Sequence, residues 1–284
     1  METKIVPAPP GAAVRTRLII TADDFGLHGA VNEGVERGYR EGVLQAASLM
    51  VAAPAAADAM ALARRLPGLA VGLHLVLTDG RALLPAARIP DLVDARGVFD
   101  KSMARDAFRS FLLRRVRQQM AAEIHAQFEA FAASGLRLDH VNAHKHFHLH
   151  PTILSLVLSI GRGFGMRAMR LPAEPGMPFW LRPWVALMRR RMDRAGIVHN
   201  DHVFGIRCSG AMDESQLLAT LRSLPDGVCE LYLHPAVCDV HAAGMSHYRD
   251  ADELAALLSP RVREAVAENC QLCHGFSDPA VAGA

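Results

Sequence analysis

Cysteine is scarce, apolar runs are short, and neither sign of charge dominates. Five cysteines in 284 residues fit a reducing compartment better than a disulfide framework. Cys270 and Cys273 form a CxxC, but no second Cys pair or paired His supplies the rest of a zinc site. No uninterrupted apolar run reaches the ~18 residues that span a bilayer; the longest candidate, Ile153 to Ile160, is broken by two serines, is too short and reads as a buried helix. Lys plus Arg number 31 against 29 Asp plus Glu, a net +2, and no basic tract is present. That balance argues against a nucleic-acid partner. Missing too are a GxSxG elbow, a P-loop and a GxGxxG after a strand. Gly161-Arg-Gly163-Phe-Gly165 reads as a helix end, where glycine belongs. Met1 to Ala13 holds three prolines and no apolar h-region. It reads as a flexible tail over 1–14, not a signal peptide, so the expected location is cytoplasmic, free or peripheral on the inner membrane.

What is present is a soluble-protein composition, 51% hydrophobic and 21% charged, on a chain long enough for a large core. Strands are expected at Leu18 to Ala22, Ala46 to Val51, Leu69 to Leu77, Leu138 to Ala143, Met166 to Leu171, His202 to Ile206, Cys229 to Leu233 and Gln271 to Phe276. Several are near-continuous apolar runs, as buried parallel strands are. Helical stripes lie between them: Val31, Val35 and Tyr39; Ile124, Phe128 and Phe131; and Leu217, Leu221 and Leu224 behind an Asp213 cap. The β-α-β-α order predicts an α/β fold with a parallel sheet, open or closed into a barrel. No linker or internal repeat divides the chain, so one domain is expected over 15–277. Arg81 to Arg117, with Pro85, Pro90 and Gly97, breaks the rhythm and reads as an insertion over one face of the sheet. Sites in such folds lie at the C-terminal strand ends.

Four features fall at those ends. Leu18-Ile-Ile runs into Thr21-Ala-Asp23-Asp24-Phe-Gly26. Two carboxylates after a buried strand are costly unless a cation or proton is shared. In an extended strand they face opposite ways; a turn at the strand end would let both reach one site. A helix-capping Asp pair is the plain alternative. Next, Gly72-Leu-His74-Leu places a histidine late in an apolar strand. Alone it would read as a core histidine. Third, His140, His144, His146, His148 and His150 put five of 14 histidines into eleven residues. The period of two puts His144, His146 and His148 on one face of a strand. Strand rise separates His144 from His148 by ~13 Å, against metal–nitrogen bonds of ~2.0–2.1 Å. One of them can ligate an ion, or two if the strand curls; the others orient ligands or touch substrate. A His-rich surface strand is the bland alternative, but Pro151 and the apolar run after it put this one at a βα junction. Fourth, Glu230-Leu-Tyr-Leu-His234-Pro235 ends a strand in a histidine suited to general-acid work. Arg170 and Glu174 follow another strand, where a charge orients a carboxylate, binds substrate or makes a surface salt bridge.

These motifs together resemble the YdjC/ChbG carbohydrate deacetylase family, from Leu18 to about Phe276. The carrying segments are Thr21-Ala-Asp-Asp-Phe-Gly26, Gly72-Leu-His-Leu75, Asp139-His-Val-Asn-Ala-His-Lys-His-Phe-His148 and Leu233-His-Pro235. Asn142 to His150, Asn200-Asp-His-Val-Phe-Gly205 and Ser209-Gly-Ala-Met-Asp213 are similar to its hopanoid-biosynthesis-associated branch. The resemblance implies a distorted (β/α) barrel-like domain, similar to polysaccharide deacetylases. It implies one divalent ion, zinc or magnesium, on Asp24, His74 and His144. Asp23 matches the catalytic base and His234 is the candidate acid. His146 and His148 match further family histidines. Many relatives carry Asp-Ser where this chain has Asn142-Ala143, a departure that marks a substrate difference; Asn142, like Arg170 and Glu174, is expected to bind substrate or support the ligands. The implied reaction is hydrolysis of the N-acetyl group of an N-acetylglucosamine-type sugar, carried on a hopanoid lipid in that branch. A soluble chitooligosaccharide substrate, a phosphoesterase on a His-rich barrel and a non-catalytic metal-binding protein of a lipid pathway are the alternatives. A homodimer is kept open.

One segment bears on the substrate without the family. Phe179-Trp180-Leu-Arg-Pro-Trp184-Val-Ala-Leu-Met188 holds both tryptophans and precedes Arg189, Arg190 and Arg191. Aromatic groups beside a cationic cluster suit a membrane interface. Inward packing of both indoles is the opposing expectation.

Overall fold

The computed structural model describes residues 16–99, 112–240 and 247–283. The expected tail, 1–14, and the middle of the expected insertion, 100–111, lie outside the described residues.

The strands are β1 (Thr16–Phe25), β2 (Ala46–Leu49), β3 (Ala70–Leu75), β4 (Val141–Ala143), β5 (His202–Phe204), β6 (Gly227–Leu233) and the short β7 (Gln271–Leu272). Six form a parallel sheet in the order β4-β3-β2-β1-β6-β5, with β7 beside the start of β1. β1 lies at the centre, and Leu18, Ile19, Ile20 and Ala22 are fully buried, because both of its faces are covered. Around the sheet run α1 (Gly29–Glu41), α2 (Ala56–Arg65), α3 (Arg114–Ala133), α4 (Pro151–Gly163), α5 (Arg182–Arg194), α6 (Glu214–Leu221), α7 (Asp250–Leu258) and α8 (Pro260–Asn269). Their expected stripes are in place, except that the helix behind Asp213 ends at Leu221 and leaves Leu224 outside it. Val31 and Val35 of α1, and Ile124, Phe128 and Phe131 of α3, are buried. Asp213 caps α6 by accepting from the Gln216 N–H.

The sheet curls. Its two edge strands approach one another through the segment after α4, where Met169 bridges Val141 and Ala168 bridges Val198. Met166 to Leu171 is therefore not a continuous strand. The Asn200 side chain takes over the ladder there, accepting from Leu171 N at 2.8 Å and donating to Leu171 O at 2.7 Å. Pro172 then forbids further donation. The result is a barrel-like α/β fold.

Two other expectations need correction. The strand at Gln271 to Phe276 pairs over two residues only, because the N–H groups of Phe276 and Ser277 turn to the buried Asp139 carboxylate at 3.0 and 2.9 Å. And the chain leaves the extended conformation at His144. Residues His144–Leu149 form a 3-10 turn, with Lys145 and His146 at φ of 52° and 53°. The histidine run is a turn at the C-terminal end of β4, not a strand with a period-two face.

The described start of the expected insertion folds back on itself through antiparallel bridges Arg81–Val98 and Val93–Phe99. It is anchored to α3, where the buried Glu123 carboxylate accepts from Leu83 N and Leu84 N.

Candidate active site

Asp23 and Asp24 reach one site through a bulge. Against β2 the register runs from Ala22↔Ala47 to Phe25↔Leu49, so three steps on β1 oppose two on β2. Asp24 absorbs the extra residue at φ 60°, a region that Asp tolerates better than most side chains. Regular alternation would have put the two carboxylates on opposite faces. Both are buried.

Asp24 Oδ1 lies 3.2 Å from His74 Nε2 and 3.3 Å from His144 Nδ1, and the two imidazole nitrogens are 3.4 Å apart. A tetrahedral ion with ligand bonds of ~2.0–2.1 Å has ligand–ligand edges of about 3.3–3.4 Å. The three atoms already stand at that spacing. Asp24 Oδ1 is buried and accepts no hydrogen bond, an arrangement that calls for a cation. Burial pushes the Asp24 carboxyl up, but the two imidazoles outweigh this and hold it well below the usual range. Burial likewise lowers the His74 pKa, and the adjoining Asp24 carboxylate together with the charge of Asp23 more than reverses it. Among the described residues, this is the one group of three acidic, His or Cys side chains with metal-ligand spacing.

The tautomer of His74 follows from its neighbours. Asp23, a carboxylate, only accepts, so the Asn142 amide must turn Nδ2 toward it, at 3.0 Å. Asn142 Oδ1 then faces His74 Nδ1 at 2.7 Å, and an amide oxygen only accepts. Nδ1 therefore carries the proton, and Nε2 presents a lone pair beside Asp24. Ser48 completes the network, donating to Asp23 Oδ1 at 2.7 Å and accepting from Asn142 Nδ2 at 3.1 Å.

Asp23 is held differently from Asp24. Its Oδ1 accepts from Ser48, Asn142 and Arg170 Nη2, while Oδ2 accepts from Arg170 Nη1 at 2.6 Å. Oδ2 is the oxygen with acceptor capacity to spare. Burial opposes ionisation, but the Arg170 guanidinium outweighs it and keeps the carboxyl well below the usual range. Arg170 is fully buried, also pairs with Glu230 at 2.8 Å, and stacks 4.5 Å over Tyr232. It makes no surface salt bridge and does not meet Glu174. Glu174 instead gathers the N–H groups of Gly205 and Arg207.

Across the site, His234 stands just beyond β6. Its Nδ1 is 3.8 Å from the buried Glu253 carboxylate, which also accepts from the His234 N–H and from Met212 N. Burial pushes Glu253 up. Tyr248 tilts against His234 with ring centroids 4.9 Å apart and shares a 2.7 Å hydrogen bond with Ser209. A side chain at Gly210, which sits at φ +73°, would fall 2.2 Å from the Tyr248 ring; the glycine makes room for the tyrosine. Asp23, His74, His144, His146, Tyr232 and Tyr248 are among the residues lining a cavity of about 140 Å³, which His234 also lines. That is below the ~300 Å³ at which pockets for whole drug-sized ligands begin, and fits a small group with the rest of the molecule outside.

The histidine run divides by position. His144 joins Asp24 and His74. His146 lines the cavity and meets the Tyr232 hydroxyl at 3.1 Å; burial and the Arg170 charge hold it well below its usual pKa. His148 is buried behind the site and donates from Nε2 to Arg170 O at 3.0 Å. It is not among the residues lining that cavity, and of its two expected roles it takes the supporting one, through Arg170. His140 donates to Asp139 at 2.9 Å, away from the cavity. Cys270 and Cys273 are buried, with thiols pushed up by burial to about 12 and about 11.

Ser48, Glu230, Tyr232, Ser209, Tyr248 and Glu253 were not singled out from the sequence. Glu230, Tyr232 and His234 share one face of a strand by alternation, so a charge four residues and a tyrosine two residues before a site histidine were the available signal. Ser48 and Glu253 carried none.

The family described as YdjC-like protein matches residues 17–268. A carbohydrate deacetylase of Brevibacillus brevis is 32% identical over 231 residues, covering 78% of this chain and 82% of the relative. A carbohydrate deacetylase of Geobacillus stearothermophilus is 31% identical over 253 residues, covering 88% and 92%. The crystal structure of an Enterococcus faecalis protein, provisionally named for cellobiose-phosphate cleavage, has a TM-score of 0.74 at 27% identity, covering 91% of this chain and 97% of that one.

Proposed function

The chain belongs to the YdjC-like protein family, and from that premise we propose that it hydrolyses the N-acetyl group of an N-acetylglucosamine-type sugar carried on a lipid, with a divalent ion on Asp24, His74 and His144. Water adds to the amide carbonyl, the C–N bond breaks, and acetate and the free amine leave. The observation that carries this reading is the pairing of two unlike carboxylates. Asp24 faces two imidazole nitrogens at metal-ligand spacing, while Asp23 faces the cavity under an arginine. A divalent cation on the first set supplies Lewis-acid polarisation of the carbonyl and acidifies water beside it.

The protein groups do the rest. Asp23 is ionised and lines the cavity, so it takes the proton of the attacking water on Oδ2, the oxygen with the fewer hydrogen bonds. Ser48, Asn142 and Arg170 fix its other oxygen, which leaves one direction of approach. His234 gives a proton to the departing amine, a poor leaving group otherwise, and Glu253 behind it stabilises the imidazole in that role. The small cavity takes the acetamido group while the sugar lies at its mouth. The hopanoid carrier rests on the likeness of Asn142 to His150, Asn200 to Gly205 and Ser209 to Asp213 to that branch.

The test is mass spectrometry of N-acetylglucosaminyl lipid and of chitooligosaccharides, incubated with metal-reconstituted enzyme. One acetyl lost per sugar, with stoichiometric acetate, is the expected result. Release of phosphate from sugar phosphates without acetate would sink the reading. Asp23→Asn is expected to lower kcat by at least about 10³, while bound metal measured by atomic emission stays at the wild-type level.

A further inference from the structure

We propose that the segment Phe179 to Arg194 docks the protein on an anionic lipid surface. In the structure the two indoles do not turn inward together. Phe179 is 75% and Trp180 66% exposed, and Leu181, Trp184 and Leu187 are exposed beside them. A soluble chain hides such groups unless the patch has a partner. Trp180, Trp184 and Leu187 recur at i, i+4, i+7 and form one outward stripe, while Val185, Met188 and Met192 hold the opposite face of α5 in the core.

Charge selects the partner. α5 carries five arginines against one aspartate, Asp193. Arg189 is engaged by Asp201, and Arg191 by Pro151 O and Ser155. Arg182, Arg190 and Arg194 are exposed. Arg190 and Arg194 continue the apolar stripe past Leu187, at three and seven residues. Apolar aromatics at one end of a stripe and cations at the other match the depth profile of an acyl–headgroup boundary. A second copy of this chain would oppose arginines to arginines. Beside the stripe opens a groove of about 350 Å³, lined by Met177, Val185 and Ala186 together with Arg182, Arg189, Glu174 and Asp201; its apolar part suits an alkyl chain.

The patch also lies where it would serve the site. The Trp184 indole N–H donates to Leu149 O at 2.8 Å, and Leu149 ends the turn that His144 begins. The docking face and the cavity thus share one end of the barrel, so a sugar standing out of a bilayer would be presented to the site. This deepens the lipid-carried substrate reading, but the binding itself does not depend on it.

Sedimentation with phosphatidylcholine vesicles, with and without phosphatidylglycerol, tests the proposal. Wild type should pellet with the anionic vesicles and be released by salt. Phe179→Ser/Trp180→Ser should lose at least about tenfold in affinity, and Arg190→Glu/Arg194→Glu as much. Both variants avoid Trp184, and circular dichroism checks their fold. Their turnover of a soluble chitooligosaccharide should match wild type. Equal pelleting of variants and wild type, no pelleting of any, or a dimer in sedimentation velocity that the Phe179→Ser/Trp180→Ser change dissolves would overturn it. Vesicle binding without acetate release would remove the proposed activity and leave the docking face standing; acetate release without vesicle binding would do the reverse.

Discussion

Asn142 stands between the two halves of the chemistry. Its amide donates to the carboxylate that takes a proton and accepts from the histidine that offers a lone pair. Asn142→Leu keeps the volume and removes both bonds. The expected outcome is a fall of about 10–100-fold in metal affinity, as for other lost supports of metal-ligating histidines, measured by calorimetric titration with zinc. Asp139 governs stability instead. Burial opposes its charge, but His140 and the N–H groups of Phe276 and Ser277 lower it to about 2. A carboxylate depressed in the folded state stabilises at pH above its unfolded value, and that contribution drains as pH falls toward the folded one. Asp139→Asn should therefore cost about 2 kcal/mol near neutrality, and the gap from wild type should close between about pH 4 and pH 2, read from urea unfolding. At this scale the sequence was partly legible. Asp23, Asp24, His74, His144 and His234 stand out because a polar group ending an apolar strand is unusual. Asn142 stood out only through its departure from relatives. Ser48 is small, and nothing nearby marks a serine that will face a carboxylate 25 residues away in the chain.

Elements set the precision of that geometry. α1 packs directly on the backbone after β6. A Cβ on Gly34 would lie 2.5 Å from Pro235 O and 2.7 Å from Ala236 Cα, too close for either to remain in place. Gly34→Ala is expected to cost about 1–3 kcal/mol of stability and to shift His234, the residue before Pro235. Thermal unfolding gives the first, and a kcat loss exceeding any change in KM gives the second. Strand positions were readable from apolar runs, since burial on both faces leaves a near-continuous signal. The turn at His144 was not. Alternating histidines imitate a strand, and neither Gly nor Asn marks the two left-handed residues, Lys145 and His146. What holds them is tertiary: Lys145 pairs with Asp79, itself at φ 49°, beyond β3. The strand arithmetic that limited the run to one or two ligands concerned a conformation the run does not adopt. The bulge at Asp24 was equally silent, being a property of β1 against β2 and not of either alone.

For the molecule as a whole, the ligand set ties distant parts of the chain together. Asp24 comes from β1, His74 from β3 and His144 from the end of β4. An ion that binds this arrangement and not the unfolded chain stabilises the fold by about 2.7 kcal/mol at a hundredfold excess over its Kd. Addition of zinc or magnesium to metal-free protein should raise Tm, and Asp24→Asn should abolish the rise. No described helix is long and apolar enough to cross a bilayer. The central place of β1 has a last consequence, for the order in which the molecule opens. Amides of this strand are bonded to neighbours on either side and buried on both faces, so they exchange with solvent only when the whole barrel unfolds. Asp23 and Asp24 ride on that strand. Local opening of the turn that carries His144 would then leave the two carboxylates fixed.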